Sequence, residues 1–148
     1  MTTRLAVLVD AENMAAKHWP RIRDRIAKLG TTTTCRVFGN LTEERLAGWL
    51  RIAQDEAIQP VLQFSGANAC DIAIAVSAMD LLHSAKFEGM CLVSSDGDFT
   101  SLVHRLRSAG LRVYGFGNTK SAPSLKKACN EFVTVAELNK PEIVSKAA

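Results

Sequence analysis

Along the chain, short runs of consecutive apolar residues alternate with longer stretches whose apolar positions recur at helical spacing. Runs at residues 5–9, 33–38, 60–64, 89–93 and 111–116 read as strands, and a sixth short strand is expected at 132–135. Several are apolar on consecutive residues, which suits strands covered on both faces by helical layers in a parallel sheet. The first regular helix is expected from about Pro20 to Leu29, with Pro20 in the first turn and Gly30 as the stop. Thr42, followed by Glu43 and Glu44, opens a second helix with acids in its positively polarised first turn. A third covers 70–83, a fourth runs over 98–109 with Gly110 as its stop, and a short fifth spans 123–130. This alternation predicts an α/β fold, a mostly parallel sheet of five or six strands with helices on both faces.

A chain of 148 residues has room for one domain, expected over 1–140, with a frayed tail at 141–148. The formal net charge of +3 permits a polyanionic partner without requiring one, so any case for nucleic acid depends on where the charges sit. Cys35, Cys70, Cys91 and Cys129 are scattered, without the paired spacing of a zinc site. They read as reduced thiols. The N-terminal apolar run is too short for a membrane span and lacks a small-residue cleavage site, so a cytoplasmic location is expected.

Candidate chemistry concentrates in aspartates at strand ends. The first strand closes in Val9-Asp10-Ala11-Glu12-Asn13, and the fourth in Ser94-Ser95-Asp96-Gly97-Asp98. Both sequences fall at the carboxyl edge of the sheet, where open α/β folds bind ligands. Asp71, opening the helix after the third strand, belongs to the same edge. Like charges gathered this closely call for protonation or a cation. A set of oxygen ligands alone suits Mg²⁺ or Mn²⁺, ions that activate water and stabilise a phosphoryl oxygen. Gly97 is expected to let the backbone turn so that both neighbouring carboxylates reach one site. The competing reading is structural: Asp98 as the N-cap of the fourth helix, and Asp71 as a first-turn residue. Asp80, nine residues after Asp71, is out of phase with it on a helix and reads as structural.

Basic residues offer weaker signals. Lys17, Arg21, Arg25 and Lys28 form a ridge on the first helix opposite the stripe Trp19, Ile22, Ile26 and Leu29, and a solvated face is the favoured reading. Lys120, Lys126 and Lys127 follow the fifth strand and are candidates for contact with substrate phosphate. Gly115-Phe116-Gly117 lacks the third glycine and the acidic residue of a dinucleotide fingerprint. His18, His83 and His104 are dispersed, and Trp49 is expected to pack against the sheet.

Four stretches resemble the NYN domain family, the LabA-like group related to PIN domains: Val9 to Asn13, Asn68 to Ala73, Ala78 to Leu82, and Val93 to Phe99. Val113 to Gly117 and Ala128 to Phe132 resemble that family's last strands, and the likeness runs from about Arg4 to Leu138. The resemblance implies a three-layer PIN-like fold with strand order 3-2-1-4-5 and a Mg²⁺- or Mn²⁺-dependent ribonuclease. Asp10, Asp71, Asp96 and Asp98 would then be metal ligands, and Asn13 would orient water or substrate. The implied partner is RNA, with single strands favoured and a homodimer open. Two positions depart from the family. Relatives carry a lysine near Ala67 and an aspartate at Ser77, which leaves a second reading, an RNA- or protein-binding module of weakened activity. A third, a haloacid-dehalogenase-type phosphatase using Asp10 and Glu12, lacks the usual second aspartate and a placed lysine.

Overall fold

Strand β1 (Arg4–Asp10) runs through the middle of the molecule, and every residue from Leu5 to Asp10 is buried. Its two faces meet different helical layers, so its apolar residues need not alternate with polar ones. Leu5, Val7 and Val9 pack on one side and Ala6 and Leu8 on the other. The computed structural model describes residues 2–64 and 68–140.

Six strands form one sheet of order β3-β2-β1-β4-β5-β6: β2 (Thr31–Gly39), β3 (Gln59–Leu62), β4 (Gly89–Val93), β5 (Arg112–Gly117) and β6 (Glu131–Thr134) flank β1. All five pairings are parallel. The expected order 3-2-1-4-5 holds, with β6 added outside β5. Helices α1 (Trp19–Leu29), α2 (Ala47–Asp55) and α6 (Val135–Asn139) cover one face. Helices α3 (Ala69–Ser84), α4 (Thr100–Ser108) and α5 (Pro123–Ala128) cover the other. Trp49 is buried at the first of these layers, edge-on to Trp19 at a centroid distance of 5.8 Å, and its indole donates to the Met14 carbonyl at 2.6 Å.

Several boundaries differ from expectation. Strand β2 begins at Thr31 because polar, β-branched threonines extend it before the apolar run, and Thr33 is skipped in the pairing with β1. Strand β3 ends at Leu62, two residues short, and Pro60 is tolerated because β3 lies at the sheet edge. Helix α2 starts at Ala47, not Thr42. Asn40 accepts from the Thr42 backbone and hydroxyl, which holds the intervening residues in a turn, and a 3-10 turn over Glu44–Leu46 leads into the helix. Helix α6 was not expected, although Thr134 and Glu137 form a reciprocal capping box at its start. On the basic ridge of α1, Lys17 and Lys28 are exposed as expected of a solvated face, whereas the two arginines fasten the helix: Arg21 donates to the Leu138 carbonyl at 2.9 Å, and Arg25 pairs with Glu131 at 2.7 Å. The tail at 141–148 lies outside the described residues.

The chain leaves β1 toward β2 and β3, then returns to β4 on the other side of β1. The sheet therefore changes direction between β1 and β4. Their carboxyl ends border a crevice of the kind that binds ligands in open α/β sheets.

Candidate metal centre

Asp10 ends β1 at that crevice. The parallel register pairs Val9 with Val93, which brings Ser94 beside Asp10. Asp10 is fully buried; its Oδ2 accepts from Asn13 Nδ2 at 2.8 Å and from Ser94 Oγ at 3.0 Å, and its Oδ1 accepts from the Glu12 N–H at 3.2 Å. Burial pushes the carboxyl above its ordinary range, against the pull of the Asn13 and Ser94 hydrogen bonds. Asn13, expected to orient water or substrate, has its amide directed at Asp10.

Asp71 arrives from the opposite layer. Asn68 precedes α3 at a φ of 62°, a left-handed conformation that asparagine tolerates, and Asp71 falls in the first helical turn. After β4, the Asp96 carboxylate accepts from the Asp98 N–H at 2.9 Å and caps a 3-10 turn over Gly97–Phe99 that leads into α4. The capping role considered for Asp98 thus belongs to Asp96. The need for Gly97 is one of space, not of an unusual turn: a Cβ there would stand 2.7 Å from Ala122 Cβ at the entry to α5.

Each of Asp71, Asp96 and Asp98 offers a carboxylate oxygen, and these oxygens all lie within 4.8 Å of one another. Asp10 is outside that group, although its charge is felt at Asp71. The Asp71 carboxyl is pushed up to about 7, first by burial, then by the hydrogen bond and charge of Asp96, then by Asp10 and Asp98. A helix N-terminus favours a carboxylate by about 0.3–1 kcal/mol. Burial and repulsion therefore outweigh the dipole. Three carboxyl groups this close, with Asp71 pushed up to about 7, fit a hard divalent cation through their all-oxygen donor set.

Two hollows share this cluster. A cleft of ≈ 310 Å³ is lined by Asp71 and Asp96 together with Glu12, Asn13, Arg45 and Phe64. A more apolar groove of ≈ 420 Å³ is lined by Asp71 and Asp98 with Ile72, Met79, Leu102 and Arg105. Glu12 accepts from the Asn40 N–H at 3.1 Å and pairs with Arg45. Burial acts to raise its carboxyl, but Arg45 and Asn40 together hold it below the ordinary range. Glu12 is thus tied to Arg45 and to the Asn40 backbone. Lys120, Lys126 and Lys127 line neither hollow, and Lys126 Nζ donates to the Thr119 carbonyl at 2.8 Å. The loop after β5 still borders the site, because the Asn118 N–H donates to Ser95 Oγ at 2.8 Å.

Of the two departures, Ala67 lies outside the described residues, whereas Ser77 accepts from Arg36 at 3.4 Å, away from the acidic cluster. Asp80 is exposed and also outside the cluster. Sequence reasoning did not single out Ser94, Arg45, Phe64 or Arg105. Only Ser94 carried a usable signal, as the polar residue following an apolar strand beside β1.

No curated protein matches the chain. A protein of unknown function from Vibrio parahaemolyticus has a crystal structure that superposes with a TM-score of 0.77 at 17% identity, covering 90% of this chain and 93% of that one. Glycinamide ribonucleotide transformylase 1 from Symbiobacterium toebii, at 15% identity over 90% of this chain and 50% of that one, scores 0.37, below the level of a shared fold. The first likeness confirms the architecture. The NYN domain pattern matches residues 4–138, nearly the whole chain and all of the strands around the acidic crevice, so the chain belongs to the NYN domain family.

Proposed function

We propose that this protein is a metal-dependent ribonuclease that hydrolyses phosphodiester bonds at the Asp71–Asp96–Asp98 cluster. The observation that carries this reading is the convergence of the Asp71, Asp96 and Asp98 carboxylate oxygens within 4.8 Å of one another, where burial first and the neighbouring acids second push the Asp71 carboxyl up to about 7. Membership of a family with a PIN-like nuclease fold supports it. Asp71, Asp96 and Asp98 would hold Mg²⁺ or Mn²⁺. Such a cation, when bound, supplies Lewis-acid activation of water and neutralises charge on a phosphoryl oxygen.

The remaining work falls to the chain. Asp10, fixed by Asn13 and Ser94, sets a buried negative charge behind the cluster and strengthens its demand for a cation. The Asp96 cap fixes the turn that carries Asp98, so the spacing of the ligands is built into the backbone. Arg45 stands in the cleft, its guanidinium shared with Glu12 and Glu43.

The test is cleavage of an end-labelled single-stranded RNA with Mg²⁺ or Mn²⁺. Cleavage is expected in wild type and is expected to be lost with a chelator and in Asp71→Asn, Asp96→Asn and Asp98→Asn. Undiminished cutting in the chelator would overturn the reading.

A further inference from the structure

Phe64 is 76% exposed and Ile72 is 63% exposed, the two most exposed large apolar side chains among the described residues. Single exposed apolar residues are ordinary on a protein surface. These two stand on either side of one acidic cluster. Phe64 lines the cleft that contains Asp71 and Asp96, and Ile72 lines the groove that contains Asp71 and Asp98. Each hollow also holds an arginine. Arg45 lies on the Phe64 side, and Arg105, which makes no ion pair among the described residues, lies on the Ile72 side.

We infer that the two hollows seat the bases that flank the scissile phosphate, one base stacked on Phe64 and the adjoining base against Ile72, Met79 and Leu102. The inference rests on the proposed function in taking the phosphodiester to sit at the acids. A phosphate there has its two nucleosides on opposite sides, and the two hollows supply an apolar surface for each. Arginine beside each surface meets the flanking phosphates. Bases in a duplex are stacked and paired inside the helix and cannot lie on Phe64, so the strand must be single. Stacking on an aromatic ring discriminates little between bases, because each base has a π-face. The two surfaces therefore assign positions for the flanking bases without a preference for sequence.

A second copy of the chain is a poorer occupant. Covering Phe64 and Ile72 together would also enclose Asp71, Asp96 and Asp98 and take their charges out of water. A nucleotide brings the phosphate that sits at those acids with the cation.

The experiment is fluorescence anisotropy of a labelled 12-nucleotide RNA and of a blunt RNA duplex of equal length, with Ca²⁺ as the cation. The single strand is expected to bind more tightly than the duplex. Phe64→Ala is expected to weaken single-strand binding roughly 5- to 100-fold, the range for loss of one base–aromatic stack. Phe64→Trp is expected to retain it, and Ile72→Ser to weaken it less than Phe64→Ala. Both side chains are exposed, so unchanged melting temperatures separate binding from folding. Equal binding by Phe64→Ala and wild type, or preference for the duplex, overturns the inference. So does a change of oligomeric state in the variants with RNA affinity intact, which would mark a protein interface. Binding through Phe64 without cleavage in Mg²⁺ would leave the inference standing and sink the nuclease reading. Cleavage that ignores Phe64 would do the reverse.

Discussion

Asp71 stands between opposed influences. The dipole of α3 favours its charge, while partial burial and the neighbouring acids disfavour it, and the outcome is a carboxyl pushed up to about 7. Removing the most buried of those acids should show how the field is shared. In Asp10→Asn the Asp71 midpoint is expected to fall. Divalent-ion affinity is expected to drop less than in Asp71→Asn, which loses a ligand outright and should bind at least about tenfold more weakly. Calorimetric titration with Mn²⁺ ranks the two. Ser94→Ala removes one of the donors that hold Asp10, and should cost about 1–2 kcal/mol in urea unfolding, since the carboxylate stays buried with a partner fewer. The aspartates were legible in the sequence because each follows an apolar strand or opens a helix after one. Phe64 was not. It reads as the last residue of an apolar strand, and only the early end of β3 at Leu62 leaves it outside the sheet and exposed.

At the scale of elements, the site depends on one close approach. The turn over Gly97–Phe99 fits beneath the entry to α5 only because position 97 has no side chain. Gly97→Ala is expected to destabilise the fold by about 1–3 kcal/mol, as overpacking does, and to weaken Mn²⁺ binding by shifting Asp96 and Asp98. Ala122→Gly in the same chain should restore most of both losses, as read by urea unfolding and metal titration. A structural role for Gly97 unrelated to Ala122 would show no such rescue. Strands were easier to anticipate than helix starts. An apolar run declares a buried strand wherever it pairs, but the start of α2 depends on Asn40 capturing Thr42, and on Arg45 being drawn to Glu12 beyond the end of β1. Helix α6 was readable in principle from Thr134 and Glu137, whose spacing is that of a capping box.

For the molecule as a whole, the sheet order fixes where chemistry belongs. Reversal between β1 and β4 opens the crevice, and Asp71 from α3 meets Asp96 and Asp98 from the turn after β4 there, with Asp10 of β1 buried. Alternating apolar and helical segments predicted that architecture. They did not predict that three acids would meet while Asp10 stood behind them, since this depends on side chains held by Asn13 and Ser94. The same cluster couples folding to pH. Between the ordinary aspartate range and about pH 7, the folded chain holds a proton at Asp71 that the unfolded chain releases. Without a divalent ion, stability contributed at this group therefore falls as pH rises through that window. Mg²⁺ competes with the proton, so its effect on melting temperature is expected to be larger at pH 8 than at pH 6. Adding a chelator should erase the difference.

The competition can be observed at the residue itself. In protein carrying ¹³C-labelled aspartate, the Asp71 carboxyl is followed by NMR across pH, with and without saturating Mg²⁺. A midpoint near 7 without the ion, moving well toward acid with it, and lowered in Asp96→Asn while burial still holds it above the ordinary aspartate range, is the predicted result. A midpoint that saturating Mg²⁺ leaves unmoved would contradict the assignment of a cation to these three carboxylates.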